Sequence, residues 1–125
     1  MIIDDPATLA AVTACFTAYE SALGDNDVAA LDGFFWPSEK AARFGTAESL
    51  FGFAEIAAFR ASRPPPGPRR LRATRITCFG TDHAVATTEF LRDGQSRLGR
   101  QTQIWVKFPE LGWRIASAHV SFSDG

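Results

Sequence analysis

The sequence predicts an α+β fold: a curved antiparallel sheet wrapped around N-terminal helices, bent into a cone with an open mouth. Three observations predict it. Apolar residues of the first third recur at helical steps, whereas from Arg72 onward they alternate at strand period. Helical segments come first and strands after, the order of a meander whose helices cover one face. The runs 101–108 and 112–121 then read as consecutive strands with two chemically distinct faces.

Asp5-Pro6 opens the first helix, with Asp at the cap and Pro at the first helical position. Leu9, Val12, Phe16, Tyr19 and Leu23 form its apolar stripe, and Gly24 is the expected stop. Asp25 or Asn26 caps a shorter second helix through Phe35, which Trp36-Pro37 ends because a residue before proline disfavours helix. Residues 41–44 read as a short strand and 45–52 as a loop or second short strand. Residues 53–62 read as a third helix with Ile56, Phe59 and Arg63 on one side, ended by the stiff Arg63-Pro-Pro-Pro-Gly-Pro68. Strands follow at 72–79, closed by Gly80-Thr-Asp82, and at 84–92, closed by the hairpin signal Asp93-Gly94. Further strands run over 98–108 and, after Pro109-Glu-Leu-Gly112, to the end.

Strict alternation puts Thr102, Ile104, Val106 and Phe108 on one side and Gln101, Gln103 and Trp105 on the other. On the last strand, Arg114, Ala116, Ala118, Val120 and Phe122 alternate with Trp113, Ile115, Ser117, His119 and Ser121. The expectation is a polar-aromatic pocket inside and an apolar subunit contact outside. Thr102, Ile104, Val106, Ala116, Ala118, Val120 and Phe122 would then pair two copies as a homodimer. The strand 84–92 is expected to turn Val85, Thr87 and Glu89 inward.

At 125 residues the chain is expected to be a single domain, 1–125. A net charge of −1 argues against nucleic acid and anionic membrane as partners. The cluster Arg69, Arg70, Arg72 and Arg75 reads as a solvated strand edge. No apolar run has the length of a membrane span, and the N-terminus lacks the pattern of a signal peptide. The expected location is therefore the cytoplasm, with Cys15 and Cys78 as free, reduced thiols.

Several side chains carry candidate chemistry. By position alone Tyr19 is a core tyrosine bonded to a backbone carbonyl, or a pocket phenol acting as acid or oxyanion donor. Arg43, in a strand covered by the third helix, needs an ion pair with Glu48 or Glu89, and its fork geometry also suits a substrate carboxylate. Glu89 is then an anchor for Arg43 or a base. Gln101 and Gln103 offer amides to a carboxylate or urea, with Trp105 on their face. Trp36, Phe59, His119 and Ser121 complete the expected substrate contacts, while His83 reads as a surface residue. Spacing supports no metal site, and no nucleophile elbow or phosphate loop is present, so no cofactor is expected.

The long first helix, the Trp36-Pro37 break, Gly52-Phe-Ala-Glu-Ile-Ala-Ala-Phe59 and the ending Gly112-Trp-Arg-Ile-Ala-Ser-Ala-His-Val-Ser121 span the chain. In these the sequence resembles the nuclear-transport-factor-two-like (NTF2-like, SnoaL-like, cystatin-like) superfamily, a cone of ketosteroid-isomerase shape. More locally it carries Tyr19-Glu20, Phe34-Phe-Trp36, Arg43-Phe-Gly-Thr-Ala-Glu48, Ala58-Phe-Arg-Ala-Ser-Arg-Pro64 and Gly99-Arg-Gln-Thr-Gln-Ile-Trp105. Through these it is similar to the AtzH/HpxZ-like proteins.

That resemblance implies a small bacterial protein encoded beside amidases of ureide and carboxylated-urea nitrogen catabolism. It implies an amidohydrolase role on a dicarboxylated urea such as 1,3-dicarboxyurea, with a critical tyrosine and arginine at the positions of Tyr19 and Arg43. Phe51 stands where relatives are expected to carry tyrosine. Tyr19 with Glu89 could imitate isomerase chemistry, but so much Arg and Gln does not suit a steroid. Two functions follow as expectations. One is a cofactor-free hydrolase in which Arg43 binds a carboxylate, Tyr19 protonates the departing nitrogen or holds the oxyanion, and water attacks. The other is a binding or accessory module for a neighbouring amidase, without chemistry of its own.

Overall fold

The computed structural model describes residues 1–124. Helix α1 (Pro6–Asp25) begins where the cap signal places it: the Asp5 carboxylate accepts hydrogen bonds from the Thr8 amide at 3.1 Å and the Thr8 hydroxyl at 2.7 Å. Its buried face is Val12, Phe16, Tyr19, Ala22 and Leu23. The helix continues past Gly24 and stops at Asn26, which takes the left-handed conformation (φ 51°) and donates its amide to the Leu23 carbonyl. Asparagine tolerates that conformation better than most residues, so the glycine is not needed as the stop. Asp27, rather than Asp25 or Asn26, caps α2 (Val28–Gly33) by accepting from the Ala30 amide.

Strands β1 (Ala42–Phe44) and β2 (Ser49–Phe51) pair antiparallel, and Gly52, at φ 88°, leads into α3 (Phe53–Ser62). Only glycine adopts that φ without strain, so the sharp entry onto the sheet edge requires it. Arg63 leaves the helix in an extended conformation ahead of Pro64, as the proline demands. Strands β3 (Arg69–Phe79), β4 (His83–Arg92), β5 (Leu98–Phe108) and β6 (Gly112–Ser123) form the expected antiparallel meander, in the order β2-β1-β6-β5-β4-β3. The sheet is mixed, because β1 runs parallel to β6, with Arg43 opposite Ala118.

Helices and sheet enclose a core in which Trp105, Phe35, Leu31, Ile56 and Ile115 are fully buried. Each contributes about 1.5–3 kcal/mol of transfer free energy. On β4, the inward set is Ala84, Ala86, Thr88 and Phe90, so Val85, Thr87 and Glu89 face outward, against expectation. The two alanines face the packed core, where Trp105, opposite Ala84, takes the volume. Period-two alternation defines two faces but does not say which one the helices cover.

A bulge reorders β6. Ile104 pairs with Ser117 and Trp105 with Ile115, leaving Ala116 unopposed. Trp113 and Ile115 point inward as expected. Beyond the bulge Ala118, buried, lies inside and Val120 and Phe122 follow it, while Ser117, His119 and Ser121 lie outside. This removes Ala118, Val120 and Phe122 from the outer apolar patch. A second bulge, at Ala73 and Thr74 on β3, is tied down by the Thr74–Thr88 hydroxyl pair at 2.8 Å.

Gly99 on β5 lies against Phe90, whose ring would overlap any methyl group placed there. Gly99→Ala is expected to cost about 1–3 kcal/mol, read by chemical denaturation, because the fully buried Phe90 has nowhere to move. The hydrogen bonds from the Thr8 hydroxyl and amide hold the Asp5 carboxyl below its ordinary 3.8. Its contribution to stability is therefore present above that value and is lost as pH falls through the lowered one. Asp5→Ala should lower the melting temperature at pH 7, with the difference from the parent protein vanishing toward pH 2.

Candidate functional site

Beyond the bulge, the inward residues of β6 meet β1, the start of β2, the end of α3 and the end of β4. Between them is a cavity of about 250 Å³ whose lining includes Arg43, Glu48, Phe59, Arg63, Arg92 and Phe122. Arg43 comes from β1 and donates through Nη1 to Glu48 Oε1 at 2.9 Å, an ion pair with both side chains largely covered. Gly45 makes the pair possible: a side chain there would occupy the space of the Glu48 carboxylate. Phe59, from α3, presents its ring to the Arg43 guanidinium at 5.5 Å and to Arg63 at 5.8 Å. The expected anchor for Arg43 is thus Glu48. Glu89 is on the other face of the sheet, paired with Arg72 at 3.0 Å.

The electrostatics are unbalanced. Among the described residues neither Arg63 nor Arg92 has a carboxylate within ion-pair distance, and Arg63 Nε and Nη2 and Arg92 Nε are buried without a hydrogen-bond partner. Burial, with the guanidiniums of Arg43 and Arg60, pushes Arg63 below the ordinary arginine range, the Tyr19 phenol pulls it back, and Arg92 lowers it again. Burial and Arg69 lower Arg92 likewise, and Glu20 opposes them. Arg60, buried on α3, also keeps an unpartnered Nε, but its charge is met by Asp32 at 3.1 Å and by the Phe35 ring at 4.9 Å.

Beside the cavity runs a fixed scaffold. Arg69 is not part of a solvated strand edge; its side chain is 5 % exposed and gripped by Glu20 at 2.6 and 3.1 Å. It also donates to the Gln101 carbonyl at 2.9 Å and lies 4.3 Å over the Phe90 ring, which Arg92 shares at 5.4 Å. Phe90 therefore positions both guanidiniums, and Gln101 is left with a buried, unpartnered amide nitrogen.

Tyr19 is buried on α1, edge-on to Phe34 at 5.8 Å and tilted against Phe35 at 6.4 Å. It has no backbone-carbonyl partner: its hydroxyl makes no hydrogen bond among the described residues. It is not part of the cavity lining, but its phenol lies within electrostatic reach of Arg63, as does Arg43. Arg43, Glu48 and Phe59 thus line one cavity, Tyr19 stands outside the lining, and Gln101 belongs to the Arg69 scaffold.

The other expected contacts lie elsewhere. Gln103 is a core residue whose carbonyl accepts from Trp105 Nε1 at 3.0 Å. Trp105 packs edge-on to Phe34. Trp36 stacks on Phe108 at 5.1 Å, at the closed β5–β6 end. His119 and Ser121 are outside the cone, where Phe44 meets the His119 ring edge-on. Phe51, 60 % exposed at the sheet edge, leaves the cavity unaffected by its missing hydroxyl. Arg63 and Arg92 were not among the expected site residues. The signals were present: Arg63 follows Ile56 and Phe59 on one helix side, and Arg92 shares the parity of Phe90.

Among the described residues no group of three or more His, Cys, Asp or Glu is placed to hold a metal ion. Cys15 and Cys78 are free thiols, each pushed up in pKa chiefly by burial. No helix is long and apolar enough to cross a membrane.

Known structures share this geometry. A DUF3225-family protein of unknown function from Pectobacterium atrosepticum is 53 % identical, with 98 % of this chain and 95 % of that one covered and a TM-score of 0.94. A cystatin-like fold protein from Burkholderia xenovorans is 42 % identical, with 98 % and 96 % covered and the same TM-score. An NTF2-like superfamily protein from Salmonella enterica, 24 % identical over 95 % and 94 % of the two chains, shares the fold at a TM-score of 0.75. No curated protein matches. The family model described as AtzH-like matches residues 1–125, and the chain belongs to that family of NTF2-like cones.

Proposed function

We propose that the protein binds a small N-carboxylated urea or ureide in the arginine-lined cavity and cleaves its carbon–nitrogen bond without a cofactor. The observation that carries this reading is the excess of guanidinium over carboxylate around a cavity sized for a small molecule. Arg43, oriented by Glu48 and backed by Phe59, offers its remaining donors to a substrate carboxylate. The Tyr19 hydroxyl, free of protein hydrogen bonds, supplies a proton to the departing nitrogen. The N–C bond to the carboxyl carbon then breaks, its electron pair remains on nitrogen as the new N–H, and carbon dioxide leaves. Solvent then reprotonates the phenolate. This chemistry asks for no side-chain nucleophile; among the described residues the lining offers the Thr46 hydroxyl and the Glu48 carboxylate, which is paired with Arg43.

Purified protein given a carboxylated urea should release carbon dioxide and leave the urea with one carboxyl group fewer. Tyr19→Phe and Arg43→Ala should each lower turnover about a hundred- to a thousandfold, the usual effect of one lost electrostatic contact. Near-parental rates in both would overturn the assignment. The lack of a nucleophile or of an inward histidine also supports a second reading, a binding or accessory subunit for an amidase. Under that reading calorimetry detects saturable dicarboxylate binding while no carboxylated urea is consumed.

Pairing of two copies through the outer sheet face is a further proposal, supported by the half-buried Val85, Ile104 and Val106. Light scattering at micromolar concentration should then give twice the 13.6 kDa chain mass, and a monomer mass would count against it.

A further inference from the structure

The cavity holds two kinds of arginine. Arg43 already has Glu48 as its counter-charge, at 2.9 Å. Arg63 and Arg92 have none among the described residues, although both line the same cavity and both keep buried, unpartnered guanidinium nitrogens. Two positive charges are thus held without a carboxylate and come from different elements: Arg63 from the C-cap of α3, Arg92 from the end of β4.

Neither is free to swing into water at no cost. Arg63 rests on Phe59 and Arg92 on Phe90, which also carries the Glu20-bound Arg69. A folded protein retains uncompensated, partly buried charges only against a cost in stability. A ligand that brings the missing negative charge recovers that cost on binding.

We infer that Arg63 and Arg92 form a second carboxylate subsite, distinct from Arg43, which makes the cavity selective for dianions over monoanions. This rests on the reading of the cavity as a carboxylate site and adds to it the residues that set specificity at its second position. Arg43 takes one carboxylate together with the Tyr19 chemistry, and Arg63 with Arg92 clamps the other. Those two arginines then determine specificity, through binding and not through the proton transfer.

The test uses two stable probes of the same shape, glutarate and its monoamide glutaramate, titrated calorimetrically at one fixed ionic strength. The parental protein should bind glutarate at least about tenfold more tightly, the value of one charge-assisted contact. Arg63→Gln and Arg92→Gln should each bring the two affinities together while leaving glutaramate binding in place. Arg70→Gln, which removes an exposed charge outside the cavity, should keep the preference and so controls for long-range electrostatics.

The apo forms of Arg63→Gln and Arg92→Gln should melt no lower than the parent, since each loses an uncompensated charge. If Arg63→Gln does not fold, Arg92→Gln reads the same preference. Equal affinity of the parent for both probes, or a preference that survives both substitutions, overturns the second subsite alone. Failure of the parent to bind either probe overturns the carboxylate reading of the cavity and this inference with it.

Discussion

A single unopposed residue, Ala116, decides what the interior of this cone contains. Up to Ile115 the last strand alternates as a simple β-strand and delivers Trp113 and Ile115 to the core. One extra residue reverses the parity, and Ala118, with Val120 and Phe122 following it, takes the inner face. Ala118 is small enough to let Arg43 lie opposite it on β1, and Val120 and Phe122 wall the cavity. Without the bulge His119 and Ser121 would occupy that wall and the site would have a different chemistry.

The interior divides into an apolar half and a charged half. Toward the β5–β6 hairpin, Trp105, Phe35, Leu31 and Ile115 fill the space under α1 and α2, and Gln103 is admitted only because Trp105 Nε1 satisfies its carbonyl. Toward the other end the buried cations are graded by how completely they are matched. Arg69 has a carboxylate, an amide and a ring; Arg60 has Asp32 and a ring; Arg43 has Glu48 and a ring. Arg63 and Arg92 have rings but no carboxylate among the described residues. The matched arginines hold the architecture in place. The unmatched ones carry the cost of charge held partly buried without a counter-charge.

This division also frames a tyrosine set deep in a core helix. Tyr19 is packed on two sides by Phe34 and Phe35, which remove its rotational freedom, while its hydroxyl stays unbonded near Arg63. In the proposed reaction a phenol preset in this way would lose little entropy on acting.

Local rules were enough for the element order. Asp5-Pro6, the helical stripe through Tyr19, the prolines after Arg63 and the Asp93-Gly94 turn are short-range signals, and α3 and β5 occupy the expected residues. The pairing of Arg43 with Glu48 was also legible, because only five residues separate them. What the chain's own periodicity could not carry was parity relative to the helices. Glu89, His119 and Ser121 were misplaced because a bulge, and the choice of covered face, depend on packing between distant elements. Arg63 and Arg92 share a cavity for the same reason: nothing local joins the end of a helix to the end of a strand twenty-nine positions later. Sequence alone set the helices, the strands and the residue types available for chemistry, since these follow from nearest-neighbour sterics and polarity. The folded sheet, by its curvature and its one-residue slip, decided which of those side chains meet.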